Sequence, residues 1–139
     1  MMIDGGNVAD SSLIVAYLKK LNIDNIDYMV CTHAHEDHVG GLSAPLSVMP
    51  VSAVYAPSAE ADSKAYQNFK RKAADQNTEI MHPENYESFP FGSARVEILA
   101  CPDNADNLNN TSIILKVTHK NKSFLFTGCL LYTSPSPRD

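Results

Sequence analysis

Three of the chain's five histidines fall between positions 33 and 38, in the run THAHEDH, with an aspartate among them. His33, His35, Asp37 and His38 offer imidazole nitrogens and a carboxylate. That donor set suits a borderline-soft cation such as Zn²⁺, and Mn²⁺ or Fe would also be accepted. If the run were a strand, alternation would send His33, His35 and Asp37 to one face and His38 to the other. On a tight loop after a strand, His33 and His35 converge on one ion while Asp37 and His38 turn toward a second. Gly40-Gly41 follows at once, where the chain must bend into a helix. The bland alternative is a histidine-rich polar surface loop, but donors this dense in so short a run make a specific motif.

The elements around the motif give it a platform. MMIDGGN reads as a strand end entering a glycine turn, and Asp10, Ser11 and Ser12 offer N-cap side chains. Leu13, Tyr17 and Leu21, with Ile14 and Leu18, form one apolar stripe, so 11–21 is expected to be an amphipathic helix. Residues 27–32 are a short apolar strand delivering the chain into THAHEDH. A helical stretch should start at Gly40-Gly41 and stop before Pro50, and 51–57 is a strand. Residues 61–75 carry Ala61, Ala65, Phe69 and Ala73 on one side, as a surface helix does. Strands are then expected at 78–81, 86–89 and 94–100, with a hairpin of 112–118 and 123–127 whose continuous apolar character suggests cover on both faces. Alternating strands and helices followed by a run of strands imply an α/β (α+β) layered domain.

Composition narrows the classes further. With 139 residues and 44% apolar side chains, the prior is one compact domain, and wholesale disorder is excluded. No apolar run approaches the ~20 residues of a membrane span, and Met1 leads into IDGG without a basic patch and apolar run, which is unlike a signal peptide. A net charge of −5 disfavours a surface coated in basic patches, although Lys64, Lys70, Arg71 and Lys72 could line one helix face for phosphates. Cys31, Cys101 and Cys129 are odd in number and lack CxxC spacing, so neither a disulfide framework nor a cysteine-rich zinc site is expected. Cytoplasmic location is the default for the chain; a longer parent could be secreted or membrane-attached.

THAHEDHVGG resembles the signature of the metallo-β-lactamase-fold hydrolases, and MMIDGG the strand and turn that precede it in them. NNTSIILKVTHKNKSFLFTG is similar to one branch, the hydrolase domain attached to ComEC-type DNA-uptake channels and its free-standing relatives. The resemblance covers about residues 1–128. It implies an αββα sandwich, of which the chain would hold roughly the first half, truncated at both ends. It further implies that His33 and His35 bind a first metal, that Asp37 and His38 bind a second, and that Asp4 supports the loop from behind. Two zinc ions and a water-derived nucleophile directed by Asp37 are the expected machinery.

The chain also departs from that pattern. Where most members supply a further histidine, this one has NADNLNNTS, so Asn109 or Asn110 is the candidate for a weak contact there, against the plainer reading of turn asparagines. His82 and His119 are expected in solvated connections. The bridging aspartate should follow Gly128, yet residue 129 is Cys. Residues 129–139 stop resembling the family, carry Pro135 and Pro137, and look like translated library-adapter sequence, so 1–128 is taken as a partial domain and 129–139 as a foreign tail. The expected function is metal-dependent hydrolysis, with a phosphodiester of a nucleic acid the substrate that the branch resemblance implies, and with the chain as written inactive. The alternatives are a lactam, lactone or thioester substrate, a non-catalytic metal-binding or interaction fragment, or a gene fragment with no mature product. No protein partner is implied.

Overall fold

The computed structural model describes residues 1–102 and 107–130. Strands β1 (Met2–Ile3), β2 (Ile26–Val30), β3 (Val51–Tyr55) and β4 (Ile80–Met81) form a parallel sheet in that order. Its register pairs Ile3 with Val30, Val30 with Tyr55 and Tyr55 with Met81, which aligns the strand ends that carry the site. Strands β5 (Ser88–Phe91), β6 (Ala94–Ala100), β7 (Ile114–His119) and β8 (Lys122–Phe126) form a second, antiparallel sheet in chain order.

Helices α1 (Ser11–Lys20), α2 (Glu36–Val39), α3 (Ser43–Val48) and α4 (Lys64–Asp75) join the strands of the parallel sheet. One core lies between that sheet and the helices, where Met29 and Val54 meet Val39, Leu46, Tyr66 and Phe69. A second core lies between the sheets, where Val30 and Tyr55 meet Val96, Ile98 and Leu115. Tyr28 packs on Phe89 there with ring centroids 4.5 Å apart. The expected mixed α/β sandwich is therefore present as a helix layer and two sheets; no α-helix is described beyond Asp75. No helix among the described residues is long and apolar enough to cross a membrane.

α4 shows how closely local sequence can dictate structure. The Ser63 hydroxyl accepts the Tyr66 N–H at 3.1 Å and caps the helix start. Ala65, Phe69 and Ala73 are then buried at helical spacing, joined by Tyr66. Burying a side chain the size of Phe69 is worth about 1.5–3 kcal/mol. Ala61 precedes the helix and packs against the same core from the loop.

Three local expectations are corrected. α1 docks through Leu18, which packs against the helix-side core, while Leu13, Tyr17 and Leu21 of the expected stripe face solvent. The Ile14 and Leu18 row is the one turned inward, with both side chains partly buried. The second helical stretch starts at Glu36, four residues before Gly40, because the His35 carbonyl already accepts the N–H groups of His38 and Val39, each at 3.0 Å. The hairpin is covered on one strand only: Leu115 of β7 is fully buried, but every residue of β8 is exposed. Continuous apolar sequence signals buried surface without saying what supplies the cover, and β8 pairs only with β7 among the described residues.

Candidate metal centre

The site grows out of the parallel strand ends. β1 runs into Asp4, whose backbone N–H donates to the Val30 carbonyl at 2.8 Å and whose φ of +57° places it in the left-handed region. Aspartate tolerates that region better than most residues, and the turn swings its side chain toward the end of β2. One carboxylate then does three things. Oδ1 accepts the Thr32 backbone N–H at 2.8 Å, while Oδ2 accepts the Thr32 hydroxyl at 2.7 Å and lies 2.7 Å from His38 Nδ1.

Two glycine pairs permit this approach. The Gly5 N–H donates to the His38 carbonyl at 2.7 Å and the Gly41 N–H to the Gly6 carbonyl at 3.1 Å. A Cβ on Gly41 would overlap the Gly5 carbonyl, so the β1 turn and the Gly40–Leu42 turn that precedes α3 cross with backbone against backbone.

His33 is fully buried and its Nδ1 lies 3.0 Å from the Thr32 hydroxyl oxygen, yet its Nε2 has no hydrogen-bond partner among the described residues. Burial, reinforced by the nearby His38, pushes the His33 pKa down to about 4, so the ring is neutral at pH 7. His38 stacks obliquely over it with ring centroids 4.2 Å apart. Donor atoms of His33, His38 and Cys129 all lie within 4.8 Å of one another, and Cys129 Sγ is 3.1 Å from His38 Nε2. Burial, with the charges of Asp37 and Asp4, raises the Cys129 thiol pKa. A buried neutral imidazole with a bare nitrogen, beside a second imidazole and a thiol, fits a divalent metal ion.

The other candidate residues take definite places. The His35 ring meets His33 edge-on at 5.0 Å, and its Nδ1 lies 3.0 Å from Asn109 Oδ1. The Asp37 carboxylate, two-thirds exposed, is 3.7 Å from His38 Nε2. Asn110 sits in the same turn as Asn109, with its backbone N–H donating to the Asn107 side chain at 3.2 Å. His82 and His119 are exposed and lie elsewhere, bonded to the Ala56 carbonyl and the Ser93 hydroxyl. None of the three cysteines forms a disulfide.

The sequence did not single out Thr32, and it singled out Cys129 only as a departure where an aspartate was expected. Thr32 had only its place directly before His33 to signal it. Cys129 was assigned to the foreign tail, yet its N–H reaches the Ser112 hydroxyl at 3.2 Å and its sulfur stands over His38. Residues 131–139 of that tail lie outside the described residues. The four cations near α4 make no single basic surface. Lys70 pairs with Glu60 at 3.0 Å, Lys72 shares a groove with Asp75, and Lys64 and Arg71 line another beside Glu36 and Asp62.

A family model described as the metallo-beta-lactamase superfamily matches residues 1–101. No curated protein sequence matches the chain. Among solved structures, a Cronobacter sakazakii metallo-beta-lactamase with a HARLDQ motif is 17% identical with a TM-score of 0.62, over 96% of this chain and 53% of its own. Its S60 mutant gives 18% and 0.61, over 89% of this chain and 50% of its own. CmlA, a diiron beta-hydroxylase from Streptomyces venezuelae, is 18% identical with a TM-score of 0.51, over 76% of this chain and 20% of CmlA. At such identities the likeness is one of fold, and the chain spans about half the length of the Cronobacter protein.

Proposed function

Because the chain belongs to the metallo-beta-lactamase superfamily, we propose that residues 1–128 are part of a metal-dependent hydrolase domain and carry the larger share of its metal ligands. His33 and His35 hold one cation and Asp37 and His38 a second, with zinc the first choice and iron, which the diiron fold relative uses, the second. The observation that carries this reading is His33 Nε2, a buried nitrogen with no hydrogen-bond partner among the described residues, in a ring packed against those of His35 and His38. A buried polar atom left unsatisfied costs about 1–3 kcal/mol, a cost that an ion at that point removes.

A bound divalent cation supplies Lewis acidity and brings the pKa of a water from ~15.7 to about 7, the chemistry that ester, amide or phosphodiester hydrolysis needs. The chain's own groups do the rest. Asp4 holds His38 and the Thr32 backbone in place, and Asn109 orients His35. Asp37, open to solvent beside His38, orients the attacking water and takes its proton. The family resemblance puts an aspartate at position 129 that would serve as a metal ligand, so we read the cysteine there as part of a foreign tail of residues 129–139 and the native residue as aspartate. The likeness of NNTSIILKVTHKNKSFLFTG to the ComEC-type branch favours a phosphodiester substrate for the full-length protein.

Zinc titration of the chelator-treated chain against a chromogenic competitor tests this. A stoichiometric complex that His33→Ala and His38→Ala abolish is expected, together with little or no hydrolysis by the chain as it stands. Absence of any zinc complex would overturn the metal reading. Two tight sites with hydrolysis of a generic phosphodiester would overturn the reading of the chain as an incomplete domain.

A further inference from the structure

We propose that Thr32 is a positioning residue that decides which nitrogen of His33 is left bare for a metal ion. The inference deepens the metal-dependent reading above and rests on it. It follows from where one hydroxyl proton goes. Thr32 Oγ1 lies 2.7 Å from Asp4 Oδ2, and a carboxylate only accepts, so the hydroxyl proton is committed to that bond. The same oxygen lies 3.0 Å from His33 Nδ1. With its proton engaged it can only accept there, and the ring must donate from Nδ1. A neutral imidazole has a single N–H, so Nε2 carries a lone pair.

That bare Nε2 is the atom with no hydrogen-bond partner among the described residues, and its ring belongs to the cluster with His38 and Cys129. Solvent cannot substitute for the hydroxyl, because Thr32 is 1% exposed. Nor can the hydroxyl drift. The Thr32 N–H is tied to Asp4 Oδ1 at 2.8 Å, and the Thr32 carbonyl accepts the Ile113 N–H at 2.8 Å. Asp4 thereby sets two histidines at once, His38 directly through Nδ1 and His33 through the Thr32 hydroxyl. His35 likewise has its Nδ1 3.0 Å from the side-chain amide oxygen of Asn109. All three rings turn Nδ1 to an oxygen and keep Nε2 for something else.

Two measurements on the full chain test the role of Thr32. Long-range ¹H–¹⁵N correlation of the imidazole rings, in chelator-treated protein at neutral pH, should show His33 as the Nδ1–H tautomer. Thr32→Val should move it toward Nε2–H, and Thr32→Ser should restore it. Zinc affinity, read with the competitor, should fall ~10–100-fold in Thr32→Val and recover in Thr32→Ser, the usual scale for losing a group that orients a ligand. An Nε2–H tautomer in the wild type would overturn the inference. So would a Thr32→Val protein that keeps both the Nδ1–H tautomer and the wild-type affinity. If Thr32→Val does not fold, the wild-type tautomer decides alone. If the tautomer shifts as expected but no form of the protein binds zinc, the metal reading fails while the role of Thr32 in setting the ring stands.

Discussion

Asp4 and His38 are 34 residues apart in sequence, and Asp4 Oδ2 lies 2.7 Å from His38 Nδ1. The contact ties the first strand of the parallel sheet to the first turn of α2. It exists because a left-handed residue and two facing glycine pairs bring their backbones together. The same carboxylate holds the Thr32 backbone, so the ring positions of His33 and His38 depend on a residue outside the histidine run.

Asp4→Asn should therefore weaken metal binding and folding together. An amide has one acceptor oxygen where the carboxylate has two, so at least one of its three donors loses its partner. Zinc affinity is expected to fall ~10–100-fold, and urea unfolding should show a loss of about 1–3 kcal/mol. Wild-type affinity in Asp4→Asn would show that His38 keeps its place without the carboxylate.

Gly41→Ala tests the crossing itself. The added methyl would overlap the Gly5 carbonyl, and neither is a flexible side chain that can move aside. Overpacking of this kind costs typically ~1–3 kcal/mol, and the displaced turn would carry Asp4 away from Thr32. Thermal unfolding and zinc affinity should both drop. A variant with unchanged stability would show that the two backbones part without penalty.

How far the sequence reached depended on how local each feature is. α4 was legible because Ala65, Phe69 and Ala73 are spaced within one helix, although its start at Lys64, set by the Ser63 cap, lies three residues beyond the expected 61. The donor run 33–38 was legible because its residue types are rare and adjacent. The orientation of α1 was not, because Leu13 and Leu18 are equally apolar and only the packing of the folded domain shows that Leu18 faces the core while Leu13 faces solvent. Thr32 was missed for a related reason. A threonine before a histidine carries no signal until Asp4 arrives from another strand to claim its proton.

The metal-free chain should lose stability in mild acid through His33. Its pKa falls from 6.5 to about 4 on folding, so between those values the unfolded chain holds a proton that the folded chain refuses. Stability that is complete above pH 6.5 should decline as pH falls toward 4, by about 3 kcal/mol at ~1.4 kcal/mol per pKa unit. Urea midpoints across this range, compared between wild type and His33→Gln in chelator, give the measurement. The variant should show the shallower slope. Equal slopes would mean that His33 takes up its proton as readily folded as unfolded.

β8 carries the last expectation. Phe124 and Leu125 are 56% and 61% exposed on a strand that is paired along one edge only among the described residues. An apolar strand with an open row of backbone donors and acceptors invites pairing with another copy. The chain should therefore associate as its concentration rises, seen by light scattering, and Leu125→Lys should suppress this. Because an exposed side chain has little packing to lose, stability should change by no more than about 0.5 kcal/mol. If Leu125→Lys left association untouched, the contact would have to lie elsewhere, with the exposed Leu13 and Tyr17 face of α1 the next surface to charge.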